Sequence, residues 1–305
     1  MSVGNFDRSF LAADAQARFE RVFVPYPPHL GLHSRCDHLR QLGLKTKGRP
    51  QKGFRVLAPT GSGKTTALEA YIAWIEAARP RTEDFLPILK ISIAANSTPR
   101  RLMTSILEAF GDVYAHHGNE ALLRRRAIAC FERFSTELLI CDEVQHLNYR
   151  QGPKTDVTDT LKGLLDMGVV PIIFLGTEDA KNMFGRNLQL NGRLLPPCDL
   201  PPLDVKRADD RALFARFVTE LEGVIFDQKL LPQRSDLNAQ GMMPALFQVS
   251  NGVIGRVSRL INVALGAAVM RDGQCLEVQD LSWAIDHWAV EQGFVKRNPL
   301  RNAHG

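Results

Sequence analysis

Ala58-Pro59-Thr60-Gly61-Ser62-Gly63-Lys64-Thr65-Thr66 is the stretch that settles how the chain is to be read. A short apolar run, Phe54-Arg55-Val56-Leu57, leads into it, and a helix-like segment follows until Pro80. Strand, glycine loop and helix in that order are what a phosphate-binding P-loop requires. Glycines let successive N–H groups curl round an anion, and the helix N-terminus adds a favourable dipole. Pro59, Thr60, Gly61, Ser62, Gly63, Lys64, Thr65 and Thr66 are the candidate nucleotide contacts. Lys64 suits the β- and γ-phosphates of ATP, and the Thr65 hydroxyl suits Mg²⁺. One position departs from the strict pattern: the first residue is Ala58 rather than glycine.

A second landmark lies downstream. Glu137-Leu138-Leu139-Ile140-Cys141-Asp142-Glu143 is an apolar strand ending in two acids, the Walker B pattern. Asp142 is the candidate magnesium ligand, through the ion's water shell. Glu143 is the candidate that orients and polarises water for γ-phosphate hydrolysis. Alone, such a strand could equally end in two solvated carboxylates; beside a P-loop the chemical reading gains weight. A further buried strand, Val170-Pro171-Ile172-Ile173-Phe174-Leu175, ends in Gly176-Thr177. If that strand lies between the other two, Thr177 can face the γ-phosphate as a sensor; the competing reading is a plain Gly-Thr turn.

The remaining segments frame these motifs. Phe6, Phe10, Leu11, Ala15 and Phe19 predict an amphipathic helix, and Val24-Pro25-Tyr26-Pro27-Pro28 predicts extended chain. A helix is expected from His33 to Leu42, then an exposed basic loop from Lys45 to Gly53. Ile88 to Ile93 alternates as a strand. Thr98 and Pro99 suit the cap and first position of a helix whose stripe is Leu102, Ile106, Leu107 and Phe110. A polar loop from Asp112 to Glu120 precedes a helix with Leu122, Leu123, Ile128 and Phe131 facing inward. Cys198-Asp199-Leu200 reads as a strand stopped by Pro201-Pro202, placing a domain boundary near residue 204. Beyond it the pattern is helical. The expected divisions are a lead-in over 1–50, an α/β core over 51–204, a helical lid over 205–293 and a basic, disordered tail over 294–305.

Composition bounds the alternatives. The chain has 305 residues, is 45% hydrophobic and carries a formal charge of +5, enough for a sizeable core and compatible with an anionic partner. Five cysteines lack a C-x-x-C pair, which suits thiols packed in a reducing compartment. Asp7 and Arg8 interrupt any signal-like apolar region, and the run from Val169 to Leu175 is far short of a membrane span. A cytoplasmic protein without a membrane partner is expected. His29, His33, Cys36 and His38 do not match a closed zinc site.

Buried parallel-type strands alternating with helices, followed by a small helical lid, resemble the AAA+ ATPases. Within them the chain resembles the TniB/TnsC transposition regulators, and more distantly MuB. Four stretches carry this resemblance: Pro99-Arg100-Arg101-Leu102, Ile140-Cys141-Asp142-Glu143, Phe174-Leu175-Gly176-Thr177-Glu178 and Asn251-Gly252-Val253-Ile254-Gly255-Arg256-Val257. It spans roughly residues 20–290. The resemblance implies an AAA+ P-loop NTPase with a central parallel sheet flanked by helices and a C-terminal all-helical lid. It implies ATP-dependent rings or filaments on double-stranded DNA, presented to a DDE transposase of TniA/TnsB type with a TniQ-like targeting protein as a further partner. Hydrolysis would then drive disassembly. Nucleotide would sit between subunits, with Arg193 as first and Arg186 as second candidate for an arginine reaching across. Arg256 matches the lid arginine that contacts nucleotide, with Arg259 three residues on. DNA contacts would fall on Arg100, Arg101, His117 and Asn119, with Arg124, Arg125 and Arg126 nearby. Competing readings are a helicase-loader-like or ExeA-like AAA+ ATPase, a small-molecule P-loop kinase, and a nucleotide-binding scaffold with negligible turnover.

Overall fold

The apolar runs that read as strands form a four-stranded, all-parallel sheet in the order β1-β4-β3-β2. The computed structural model describes residues 3–95, 97–147, 157–238 and 241–304. In chain order the first half contains α1 (Val3–Glu20), α2 (Pro27–Lys45), β1 (Gly53–Leu57), α3 (Lys64–Ala78), β2 (Ile88–Ser92), α4 (Pro99–Ala109), α5 (Glu120–Arg133) and β3 (Leu138–Asp142). Then follow α6 (Val157–Asp166), β4 (Ile172–Gly176), α7 (Lys181–Arg186), α8 (Leu188–Asn191), α9 (Ala208–Asp227), α10 (Met242–Ser250), α11 (Ile254–Met270) and α12 (Val278–Ala284). The chain divides into two units. One holds Pro27–Thr60 and Lys64–Leu200; the other holds Met1–Tyr26, Gly61–Gly63 and Pro201–Gly305.

In the α/β unit β3 and β4 are buried along their whole length, as strands covered on both faces must be. Alternate residues Leu139, Cys141, Ile172 and Phe174 join a core with Leu102, Ile106 and Leu107 of α4, Leu123, Ala127 and Phe131 of α5, and Leu161, Leu164 and Leu165 of α6. The intervening residues point to the opposite face, where Arg35 of α2 lies 5.9 Å over the Phe54 ring. Helix starts follow local chemistry. Thr98 accepts from the Arg101 amide at 3.2 Å with Pro99 opening α4, and Asn119 accepts from the Leu122 amide at 2.9 Å to cap α5.

A buried charge cluster ties α2 to the foot of β3. Arg40 donates to Asp37 at 3.0 and 2.7 Å and closely to Glu137, which also receives Arg79. Burial opposes the Arg40 charge, but its bonds to Asp37 and Glu137 more than offset this and raise its pKa. All five cysteines are free thiols, and burial pushes those of Cys36 and Cys141 well up.

The helical unit packs Ala15 and Phe19 of α1 and then Tyr26 against α9, α10, α11 and α12. Gln16 donates to the Asn262 carbonyl at 3.0 Å, and Asn262 donates to Glu20 at 2.9 Å. Among the described residues no single helix is long and apolar enough to cross a membrane.

Several expectations change. The lead-in over 1–50 is not one segment: residues through Tyr26 belong to the helical unit and those from Pro27 to the α/β unit. Helix α2 begins at Pro27, since proline at a first helical position gives up no needed hydrogen bond. The expected disordered tail instead packs through residue 301: Asn298 donates to Ser282 at 3.0 and 2.9 Å, Leu300 is buried, and Trp288 meets Phe294 edge-on. Leu122 is exposed rather than inward, leaning on Gly118, because the buried stripe of α5 runs through Leu123, Ala127 and Phe131. Cys198–Leu200 forms no strand. Its alternate amides donate to β1, Cys198 to Arg55 and Leu200 to Leu57, each at 2.9 Å, while prolines interrupt on both sides.

Candidate nucleotide site and nucleic-acid face

β1 leads straight into the glycine loop. The Ala58 amide still pairs with the Gly176 carbonyl at 3.1 Å, and Ala58 is fully buried, so the first motif position serves as the last rung of the ladder. Gly61 and Gly63 have φ of 81° and 80°, which glycine alone adopts without strain. Lys64, buried, starts α3; Thr65 is half-buried beside it, while Thr60 and Thr66 are exposed and Ser62 is buried. A concave run of backbone amides at a helix N-terminus fits phosphate oxygens.

The loop tip, Gly61–Gly63, groups with the helical unit. There a Cβ on Gly255 would lie 2.0 Å from the Gly61 carbonyl oxygen, and one on Gly61 would lie 3.4 Å from Arg256 Cγ. Gly255 is required by this close approach of two backbones. Of the two lid arginines, Arg256 is the one at the loop tip, its guanidinium 4.6 Å over the Phe294 ring; Arg259 is exposed.

β4 lies between β1 and β3, so Thr177 falls between the glycine loop and the acid pair. Asp142 is buried and accepts from the Glu143 amide at 2.8 Å. Glu143 has φ of 60°, the left-handed region that few non-glycine residues occupy. Gln145 joins the two strand tips: its Nε2 donates closely to Glu143 Oε2, and its Oε1 accepts from the Thr177 amide at 3.1 Å. The Thr177 hydroxyl donates to Asp179 at 2.9 Å. The sequence signals Gln145 only as an amide side chain two positions after the acid pair.

The two candidates for an arginine reaching across to a neighbour fare differently. Arg193 pairs with Asp166 at the end of α6, and its carbonyl accepts from Gly53 at 3.1 Å. That places it at the start of β1, a strand length of about 15 Å from the chain's own glycine loop. Its guanidinium is thus away from its own loop. Arg186 ends α7, and its side chain lies outside the described residues.

Arg100, Arg101, His117 and Asn119 are all exposed. Arg100 donates to the carbonyls of His116 and Gly118 at 2.9 and 3.1 Å, bracing the loop from the start of α4. Arg126 braces it from below, donating to Tyr114 and His117 carbonyls at 2.9 and 3.2 Å and pairing with Asp112. Asn119 is engaged as the α5 cap, and Arg124 packs on Gly163, leaving Arg101, His117 and Arg125 exposed. Tyr114 stands 62% exposed at the loop tip.

The family model described as "Bacterial TniB protein" matches residues 21–202, more than half of the chain. The chain belongs to the TniB family. Among solved structures, this TniB-family chain superposes on the ORC1 protein of Aeropyrum pernix in complex with DNA with a TM-score of 0.61 at 17% identity, covering 89% of this chain and 69% of that one. Cdc6p of Pyrobaculum aerophilum gives 0.63 at 11% identity over 89% and 70%. The ORC2 protein of Aeropyrum pernix in ADPNP-ADP complexes gives 0.57 at 13% over 83% and 67%. At these identities the likeness is one of fold: the TniB-family chain has the AAA+ architecture of a parallel sheet flanked by helices with a C-terminal helical part. A search of curated proteins found no match. Among the described residues no group of three or more His, Cys, Asp or Glu is placed to hold a metal by itself.

Proposed function

We propose that this TniB-family protein is an ATP-dependent, DNA-associated AAA+ ATPase that assembles on target duplex and presents it to a DDE transposase. The observation that carries the reading is the alignment of the glycine loop, Thr177 and Asp142-Glu143 at the ends of the three neighbouring strands β1, β4 and β3. The buried Lys64, the left-handed glycines and the close Gly61–Gly255 contact fit a polyphosphate cradle. The Thr65 hydroxyl and Asp142 carboxylate are hard oxygen donors of the kind Mg²⁺ takes alongside retained water. When bound, Mg²⁺ would supply positive charge against the phosphate oxygens. Glu143 would hold and polarise the attacking water, and Arg256, beside Gly61, would answer phosphate charge.

Arg193, away from its own glycine loop, suits action on a neighbouring copy, with Arg186 as the second candidate. A head-to-tail assembly follows from that arrangement, closing as a ring or extending as a filament. The transposase would be of TniA/TnsB type and a TniQ-like protein a further partner, both from the family resemblance. Electron microscopy with duplex DNA and ATP, ADP or neither tests the whole reading. ATP-dependent rings or filaments on DNA are expected; a monomer indifferent to both ligands would remove it.

Two variants probe the cradle. Lys64→Ala should abolish ATP binding and assembly. Gly255→Ala forces its new methyl against the Gly61 carbonyl, an overpacking of about 1–3 kcal/mol, so ATP affinity should fall about tenfold. Gly31→Ala, where a Cβ meets nothing within 4 Å, is the silent control. Equal nucleotide affinity in all three would sink the cradle.

DNA binding should be sequence-independent and salt-steep, since the exposed charges suit phosphates rather than base edges. Arg101→Ala is expected to weaken binding to every duplex alike and to reduce the log–log salt slope by about one. An affinity that did not fall with added salt would refute this face.

A further inference from the structure

We propose that Gln145 is a positioning residue that fixes the Glu143 carboxylate relative to the tip of β4. This rests on the ATPase reading above and deepens it, since it acts only through Glu143. The first observation is that both ends of one side chain are committed. Nε2 donates to Glu143 Oε2 and Oε1 accepts the Thr177 N–H at 3.1 Å. A carboxylate can only accept and a backbone N–H can only donate, so the orientation of the amide is forced.

The second observation is that the surroundings are shaped for this bridge. Val144 is fully buried, and the turn that carries Gln145 is closed by His146 N–H to Glu143 C=O and Leu147 N–H to Val144 C=O, both at 3.0 Å. The base of the side chain is therefore anchored. Across from it Gly176 makes room: a Cβ there would fall 2.9 Å from Gln145 Oε1 and 2.9 Å from Val144 Cγ2. A residue with any side chain at 176 would close the space in which the amide lies.

The third concerns need. The Glu143 side chain is 40% exposed, and His146 Nε2 stands 3.8 Å from its Oε2, too far to hold it. A half-exposed glutamate samples several rotamers, and a misplaced general base loses rate far faster than affinity. With one oxygen held by Gln145, the other is the one that would act on water. Because Gln145 also holds the Thr177 amide, any displacement of the β4 tip is passed to the carboxylate.

The test separates the two bonds. Gln145→Glu keeps the acceptor for Thr177 N–H but places a carboxylate against Glu143; Gln145→Met, similar in length, removes both bonds. Steady-state ATP turnover and ATP affinity are measured for both variants, for the wild type and for Glu143→Gln. Both Gln145 variants are expected to lose about tenfold or more in kcat with KM within about threefold of wild type. Wild-type turnover in Gln145→Glu would mean that the side chain only holds β4, and would overturn the assignment. Loss in Gln145→Glu alone would report repulsion and overturn it too. Equal turnover in the wild type and Glu143→Gln would instead take the catalytic role from Glu143, and this assignment with it, whereas a wild type that turned over no ATP would bring down the ATPase reading itself.

Discussion

Glu143→Gln is expected to lower ATP turnover by about 10²–10⁴-fold while leaving ATP affinity within about threefold. The change removes the basic oxygen but keeps the shape, and the glutamine still offers an oxygen to Gln145. Asp142, Lys64 and Thr65 are untouched, so on the proposed roles the binding groups survive while the group that polarises water does not. Assemblies on DNA should therefore form with ATP and fail to come apart. Turnover measured beside negative-stain images over time checks both halves. A variant that hydrolysed ATP at the wild-type rate, or shed DNA on the wild-type schedule, would take the catalytic role from Glu143.

The second large effect is on stability. Glu137→Ala should destabilise the α/β unit by about 3–5 kcal/mol, because it leaves the buried Arg40 guanidinium with Asp37 as its one remaining carboxylate partner among the described residues. In thermal melts this amounts to a fall of roughly 5–15 °C. Arg79 loses its partner too, but it is half-exposed and contributes less. The paired variant Arg40→Met with Glu137→Leu should recover much of the loss, since an apolar pair removes both desolvation penalties. If Glu137→Ala melted within a degree of wild type, the cluster would not be holding α2 to β3.

Much of the fold was legible because its signals are local. An apolar strand before a glycine loop, an apolar strand before two acids, and a capped helix at Thr98-Pro99 each announce themselves within ten residues. The parallel sheet agrees with what those signals implied, and the family match agrees with the resemblance that the four quoted stretches carry. Less legible were facts that depend on distant partners. That α1 belongs with α11 depends on Gln16 and Glu20 meeting Asn262. The packing of residues 294–301 depends on Ser282 and Trp288, and no composition rule separates such a segment from a disordered tail. Arg100 illustrates the limit within a site. Its charge is visible in the sequence, but its engagement with two carbonyls of the following loop is not. Gln145 lay hidden for the same reason: one of its two partners is 32 residues away.

The backbone at Glu143 carries one more consequence. Its left-handed conformation costs a non-glycine residue on the order of 1–3 kcal/mol, and asparagine or glycine would occupy it more comfortably. Folding and the proposed chemistry therefore favour opposite residues at a single position. A selection that rewarded thermal resistance alone would be drawn to Glu143→Gly or Glu143→Asn, and would discard the acid in the process. Engineering a sturdier version of this protein should begin by locking that codon.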